Sequence, residues 1–215
     1  AAIEEQYADE IALVSSFGAD SAVLLHMVSQ INPDVPVVFV DTGKLFPATL
    51  RYRDELVTRF VFSDVRSQRP LKEDLASEDP AGMLWMSDTD ACCHVRKVLP
   101  LEHALDGFTA WISGRKRFQS STRSTLELFE TEDDRIKVNP LASWSAQDIL
   151  AYAKELNLPP HPLVAEGYPS IGCLPCTDKV KPGEDPRAGR WRGQEKTECG
   201  IHLPTHGREI DGSGI

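Results

Sequence analysis

No stretch of about 18 consecutive apolar residues occurs in this chain, so no membrane-spanning helix is expected. No secretory pattern is visible in "AAIEEQYADE". That segment lacks an initial Met and reads as the end of a helix, so natural residues are expected to precede it. There is no internal repeat and no coiled-coil heptad. A Walker loop, G-x-x-x-x-G-K-[ST], is missing, and so is a dinucleotide fingerprint with its three spaced glycines. His94, His103, His161 and His206 share no metal-binding spacing. Positive charge is in deficit: 23 Lys and Arg stand against 33 Asp and Glu, a net charge of −10. That argues against broad electrostatic binding to nucleic acid. Cysteine is scarce and odd in number, five in 215 residues. A secreted disulfide scaffold favours an even count in a shorter chain. The cytoplasm is the expected compartment, where cysteines serve as ligands or reagents.

The chain is 41% hydrophobic and 26% charged, which suits one soluble globular domain or one domain with a substantial tail. "IALVSS" reads as a short buried strand. "SAVLLHMVSQI" has helical spacing, with Val23, Leu24, Met27, Val28 and Ile31 on one side. "VPVVFVD" is a second strand, and Pro47 opens a helix through "ATLRYRDELVTRF". "FVFSDV" is read as a third strand. Cys92 is expected to open a helix capped by Asp88 or Asp90. "FTAWISG" predicts a strand ending at Gly114, and "LELFETEDDRIKV" a hairpin with an acidic turn. "SAQDILAYAKELNL" predicts a helix stopped by "PPHP". Strands alternating with helices imply an α/β fold with a mostly parallel sheet. After residue 159 the chain becomes rich in Pro, Gly and charge, an irregular segment with a mobile end at "DGSGI".

Base is concentrated in "GRKRFQSSTR" and again from Lys179 to Lys196. Two basic patches on an acidic protein suit a small anionic ligand better than a polyanion. "SSFGADS" lies between a strand and a helix, where open α/β sheets bind ligands. Its serines, Gly18 and the free amides of a helix start suit a phosphate or sulfate; a capped turn without a ligand is the plainer alternative. The stretch looks like the S-G-G-x-D-S pyrophosphate loop, with Phe17 in place of the first glycine. Asp41, in "VDTGKLFP", is either a helix cap or an acceptor for a nucleoside. Cys173 and Cys176 form C-x-x-C, and with the adjacent Cys92 and Cys93 they make four thiolates. Such a set holds zinc or an iron–sulfur cluster, or no metal at all. Neighbouring thiolates fit one tetrahedral zinc awkwardly, whereas a cubane offers each a separate iron. Cys199 is left over, near Lys196 and flanked by Gly200. It is either a nucleophile favoured by cationic neighbours or an inert surface thiol. Arg115, Lys116, Arg117 and Arg123, then Arg187, Arg190 and Arg192, match the geometry of phosphate and sulfate oxygens, although charge runs often only solvate a surface.

The stretches "SSFGADSAVLLH", "VDTGKLFP", "ACCHVRKVLPL", "WISGRKRFQSSTR", "YPSIGCLPCT", "DPRAGRWRG" and "KTECGIHL" span nearly the whole chain. Together they make it resemble the assimilatory adenylyl-sulfate reductases, the cluster-bearing branch of the phosphoadenylyl-sulfate reductase family. The resemblance implies an adenine nucleotide alpha hydrolase-like sheet of the pyrophosphate-loop type. It implies a sulfonucleotide- and cluster-binding domain over 1–176, and a basic C-terminal segment over 177–215 that carries the nucleophile. Adenosine 5′-phosphosulfate would lie over the strand ends, near Ser15, Ser16 and Gly18. Asp41, Thr42 and Gly43 would sit near the nucleoside, with Val40 and Gly114 beside adenine. Lys97, Arg123, Arg187 and Arg190 would surround the phosphosulfate. Cys92, Cys93, Cys173 and Cys176 would bind a [4Fe–4S] cluster. Cys199 would attack sulfur to form an S-sulfocysteine, which thioredoxin or glutaredoxin then resolves to sulfite. A homo-oligomer, dimer or tetramer, is implied, without nucleic acid or membrane as partner. Two rivals belong to other classes: a cluster-containing, ATP-dependent enzyme that inserts sulfur into nucleic acid, and a zinc-stapled binding module without enzymatic activity.

Overall fold

The computed structural model describes residues 1–132 and 134–202. After a wide helical turn (Ala2–Gln6), the chain builds β1 (Ile11–Val14), α1 (Ser21–Ile31), β2 (Val37–Val40), α2 (Pro47–Phe60) and β3 (Val65–Gln68). Short helices follow: α3 (Lys72–Glu78), α4 (Leu84–Ser87) and α5 (Thr89–Cys93). The last runs through a π-wound turn (His94–Val98) into α6 (Leu99–Ala104). Then come β4 (Ala110–Ile112), β5 (Phe129–Glu132), β6 (Arg135–Val138), α7 (Ala146–Glu155) and α8 (Pro162–Ala165). The strands form one six-stranded sheet in the order β3-β2-β1-β4-β6-β5. Only β5 runs antiparallel to its neighbour.

The central strands are apolar throughout because both faces of the sheet are covered. Successive residues supply opposite faces. Ile11, Leu13, Val37, Phe39, Ala110 and Ile112 join the core under α1, α2 and α7. Ala12, Val38 and Trp111 pack with Leu101, Leu105 and Phe108 on the other side. Ser145 and Asp148 close the start of α7 with a reciprocal capping box.

Three expectations need correction. The third strand is not "FVFSDV": Phe60 ends α2, Val61 takes a left-handed φ of 58° as its cap, and pairing begins at Val65. Phe60 and Phe62 are buried in the core from the helix end and the turn after it. The real β3 lies on the sheet edge, where exposed Arg66 and Ser67 need no apolar pattern. Cys92 does not open its helix; Thr89 does, and Asp88 rather than Asp90 caps it by accepting from the Asp90 and Ala91 amides. Ile31, at the end of α1, is half exposed rather than in the core.

The chain winds outward from β1 to β2 and β3, then returns past β1 to β4. The ends of β1 and β4 therefore border the crevice where winding reverses, the usual ligand position in such sheets.

His161 shows how tightly the region beside α2 is closed. It is 0% exposed. The Leu163 amide donates to its Nδ1 (3.2 Å), so the proton sits on Nε2 and meets Thr49 Oγ1 (3.1 Å). Burial pushes its pKa from 6.5 down to about 4. In the unfolded chain this histidine protonates as pH falls through 6.5, whereas the folded form resists until about 4. Stability is thus fully present above 6.5 and declines across that window, by on the order of 3 kcal/mol from this group. Urea unfolding between pH 7 and 4 should show that decline, and His161→Asn, which keeps an acceptor for Leu163, should flatten it.

Candidate active site

The loop after β1 turns sharply. Phe17 holds a φ of 49°, a left-handed value more usual for glycine, and its side chain is fully buried edge-on to Phe39 (5.4 Å). Its amide donates to Ser15 Oγ (3.2 Å). The ring thus anchors the turn while Ser15, Ser16 and Gly18 stay at the end of β1. Asp20 precedes α1 and accepts from Lys116 Nζ (3.0 Å), a buried lysine just beyond β4. This pair spans the switch-point crevice. Gly114 directly follows Ser113 beside it, and Val40, Asp41, Thr42 and Gly43 end β2 on the other flank.

Asp41 and Thr42 are both buried but serve different neighbours. Asp41 pairs with Arg69 (2.8 Å) and accepts from the Gly43 amide (3.1 Å). Thr42 Oγ1 lies 3.3 Å from Cys173 Sγ. Leu45 makes a β-bridge with Cys173, and the Leu174 amide donates to Lys44 O (2.8 Å). The nucleotide-type loop and the C-x-x-C loop are therefore one joined unit.

Cys92, Cys93, Cys173 and Cys176 all line one cavity, together with Lys44, Trp85, Arg96, Lys97 and Pro175. Among the described residues, no three His, Cys, Asp or Glu side chains gather closely enough for a single metal ion. Cys92 and Cys93 sit where α winding passes into the π turn, a distortion common at functional sites. Burial pushes the Cys92 thiol up to about 11. Arg96 is held by buried Asp79 (2.7 and 2.9 Å) and donates to Thr42 O (2.9 Å).

The fifth cysteine approaches the same cavity from the tail. Lys97 Nζ lies 3.6 Å from Cys199 Sγ. A Cβ on Gly200 would come within 3.1 Å of Val98 and 3.7 Å of Cys93, so glycine permits this approach. The Cys93 thiol neighbours Cys199 and acts on it more strongly than any other group, and Cys199 in turn pushes the Cys93 thiol up. The Cys199 pKa falls well below the ordinary thiol value, chiefly through the neighbouring Cys93 thiol, against burial, and with help from Lys97, the Ile201 amide and Arg190. Burial opposes the Lys97 charge, but Cys173, Cys199 and Cys93 outweigh it and raise the ammonium's pKa. Lys196, the cation nearest Cys199 in sequence, instead contacts Asp90.

The basic residues converge here as well. Arg123 grips Glu198 with two prongs, and Arg187 donates to Thr197 O (2.8 Å). Arg190 lies over the Trp191 ring (4.3 Å) and so close to Gly172 that a Cβ would clash with its guanidinium. Arg192 pairs with Glu184 in a contact open to solvent. Arg96, Asp79, Lys44, Trp85 and Glu198 went unread in the sequence. Arg96 had a signal, since it falls three and four residues after Cys93 and Cys92 on one helical face. His206 and the "DGSGI" end lie outside the described residues.

Residues 10–179 match the phosphoadenosine phosphosulfate reductase domain model. The adenosine 5′-phosphosulfate reductase of Mesorhizobium japonicum is 56% identical over 199 residues, 93% of this chain and 78% of that one. The Staphylococcus epidermidis enzyme of the same name is 40% identical over 205 residues, 93% and 83% of the two chains. Among solved structures, the Candida auris phosphoadenylyl-sulfate reductase in a phosphate complex aligns with a TM-score of 0.65 at 27% identity, covering 80% of this chain and 83% of its own. Yeast FAD synthetase shares the fold at a TM-score of 0.56 and 18% identity. No described helix is long and apolar enough to cross a membrane. With its sheet, its strand-end loops and this kinship over most of its length, the chain belongs to the phosphoadenosine phosphosulfate reductase family.

Proposed function

We propose that this protein reduces adenosine 5′-phosphosulfate to sulfite and AMP in sulfate assimilation, with Cys199 as nucleophile. The observation that carries the assignment is the placement of Cys199 Sγ against Lys97 Nζ (3.6 Å), at a cavity bordered by the other four cysteines. Ser15, Ser16 and Gly18 hold the anionic end of the nucleotide by hydroxyls and amides. Val40, Asp41, Thr42, Gly43 and Gly114 border its nucleoside from the ends of β2 and β4. Lys97, Arg123, Arg187 and Arg190 face the phosphosulfate.

The Cys199 thiolate attacks the sulfate sulfur. The sulfur–oxygen bond to the phosphate breaks, and AMP leaves with its electron pair. Lys97 and the arginines stabilise charge growing on the oxygens, where preorganised donors act most strongly. The product is an S-sulfocysteine. A thiolate of the thioredoxin or glutaredoxin class then attacks Cys199 Sγ and displaces sulfite. Its partner thiol resolves the mixed disulfide and restores Cys199. Two electrons pass from the dithiol, which becomes a disulfide, while sulfate sulfur becomes sulfite sulfur.

The four cavity cysteines suit a [4Fe–4S] cluster. They line one space, and the adjacent Cys92 and Cys93 reach separate iron corners more readily than one tetrahedral zinc. Lys44, Arg96 and Lys97 supply positive charge around an anionic cluster. When bound, the cluster would supply a fixed negative field and a rigid seat beside Lys97; the electrons come from the thiol reductant. With Cys93 ligated its proton is gone, and Lys97, the Ile201 amide and Arg190 remain to support the Cys199 thiolate.

A sulfite-release assay on anaerobically purified protein tests this, with adenosine 5′-phosphosulfate and its 3′-phosphorylated form compared and iron and sulfide counted. Dithiol-dependent sulfite and AMP, with about four irons per chain, are expected. Zinc without sulfide, or pyrophosphate release from ATP, would overturn the assignment.

A further inference from the structure

Glu198 stands one residue before the nucleophile, and its carboxylate is fully engaged. Arg123 donates through Nε to Oε1 (2.7 Å) and through a terminal nitrogen to Oε2 (2.6 Å). The Thr122 hydroxyl adds a bond to Oε1 (3.0 Å), and an Arg187 terminal nitrogen lies 3.8 Å from Oε2. Both members are buried, at 8% and 7% side-chain exposure. The other Arg123 terminal nitrogen goes to Gln119 (2.6 Å). The two-pronged edge of Arg123, the part that matches a phosphate or sulfate group, is thus taken by the protein's own carboxylate. Beside it opens a cavity of about 370 Å³ bordered by Arg115, Arg123, Lys196 and His202. Arg115 Nε and His202 Nδ1 are buried there without a hydrogen-bond partner among the described residues.

We propose that Glu198 is a positioning residue that stands in for the substrate's anion: its carboxylate occupies Arg123, holds the tail down with Cys199 against Lys97, and exchanges with the phosphosulfate of the incoming nucleotide. This rests on the reading that Arg123 faces the phosphosulfate. Tail docking and nucleotide binding then compete for one guanidinium edge. The exchange releases the Glu198 anchor when the substrate enters, leaving Cys199 beside Lys97 for the attack, and restores that anchor when AMP leaves.

Glu198→Gln keeps the shape and removes the charge, so the tail loses its hold on Arg123. The test uses the cluster-loaded full chain in a Cys199→Ser background, where substrate is not consumed. Adenosine 5′-phosphosulfate should bind about tenfold tighter to Glu198→Gln, since charge-assisted pairs are roughly twice as strong as neutral ones. With Cys199 present, both KM and kcat should fall in Glu198→Gln. Iodoacetamide should label residue 199, mapped by mass spectrometry, several-fold faster, while the visible iron–sulfur absorption stays unchanged. A purely structural Glu198 would not tighten binding. Unchanged or weaker nucleotide affinity in Glu198→Gln overturns the exchange. Arg123→Met separates this from the underlying reading. If it leaves nucleotide affinity intact, Arg123 does not face the substrate and that reading fails. If it weakens affinity while Glu198→Gln does not tighten it, only the exchange fails.

Discussion

Replacing Cys199 by Ser should lower sulfite release by about 10⁴- to 10⁶-fold, the range seen when a nucleophile that acts as a unit with its site is removed. The loss should be chemical rather than structural. Serine is nearly isosteric, and the contacts that dock the tail belong to other residues: Glu198 on Arg123, Arg187 on the Thr197 carbonyl, and Gln194 on Thr89. What disappears is a thiol whose pKa Cys93, and then Lys97, the Ile201 amide and Arg190, hold well below the ordinary value against burial. A hydroxyl at the same place stays protonated near neutral pH, and its oxygen offers no sulfur for a dithiol to attack afterwards. The four cavity cysteines are untouched, so the brown iron–sulfur absorption should persist at full strength. Mass spectrometry after incubation with substrate should find an adduct of about 80 Da, one SO₃ unit formed by covalent catalysis, on residue 199 of the parent chain and none on the variant. Normal turnover by Cys199→Ser would end the proposed mechanism.

Asp79→Ala should destabilise the protein by about 3–5 kcal/mol, the effect of stripping one partner from a buried ion pair. Arg96 and Asp79 have 9% and 2% side-chain exposure. Both guanidinium contacts to the carboxylate end on one oxygen, Oδ2, while Oδ1 accepts from the Leu84 amide (2.9 Å). Burial opposes the Asp79 charge, but the Leu84 amide and Arg96 hold its pKa below the usual carboxylate value. Removing the carboxylate leaves Arg96 charged in a poorly solvated place and frees the start of α4. Because Arg96 also borders the cysteine cavity, an anionic cluster there would balance part of its charge. The loss should therefore be larger in chelator-treated protein than in the iron-loaded form. Urea unfolding of parent and variant, each with and without iron, measures this directly. A difference under about 1 kcal/mol, the scale of an exposed pair, would mean that solvent reaches Arg96 after all.

Much of the site was legible because its signals are local. The short apolar runs at Ile11–Val14 and Val37–Val40, the helical spacing of α1 and the turn residues between them marked the loops at the carboxyl ends of the strands. The C-x-x-C pair and the adjacent cysteines marked four sulfurs, and a lone thiol beside glycine marked the fifth. The rest depends on contacts that no window of sequence contains. Thr42 meets Cys173 across 131 residues, Glu198 meets Arg123 across 75, and Lys97 meets Cys199 across 102. Asp79 lies in "SEDP", among other acidic residues, with nothing to distinguish it until α5 and the π turn carry Arg96 to it. The misplaced third strand has the same origin. Hydrophobicity reports burial, and Phe60 and Phe62 are buried from a helix end and a turn, whereas the true strand is an edge with little to hide.

The loop from Asp41 to Leu45 has one further consequence, for how this chain tolerates change in length. Surface connections usually accept an inserted or deleted residue without harm. Here consecutive residues answer to separate masters: Asp41 to Arg69, Thr42 to a sulfur of the C-x-x-C loop, and Leu45 to the backbone of that same loop. Adding or removing a single residue would put each of these contacts out of phase at once, so genetic drift in length should be blocked at this turn.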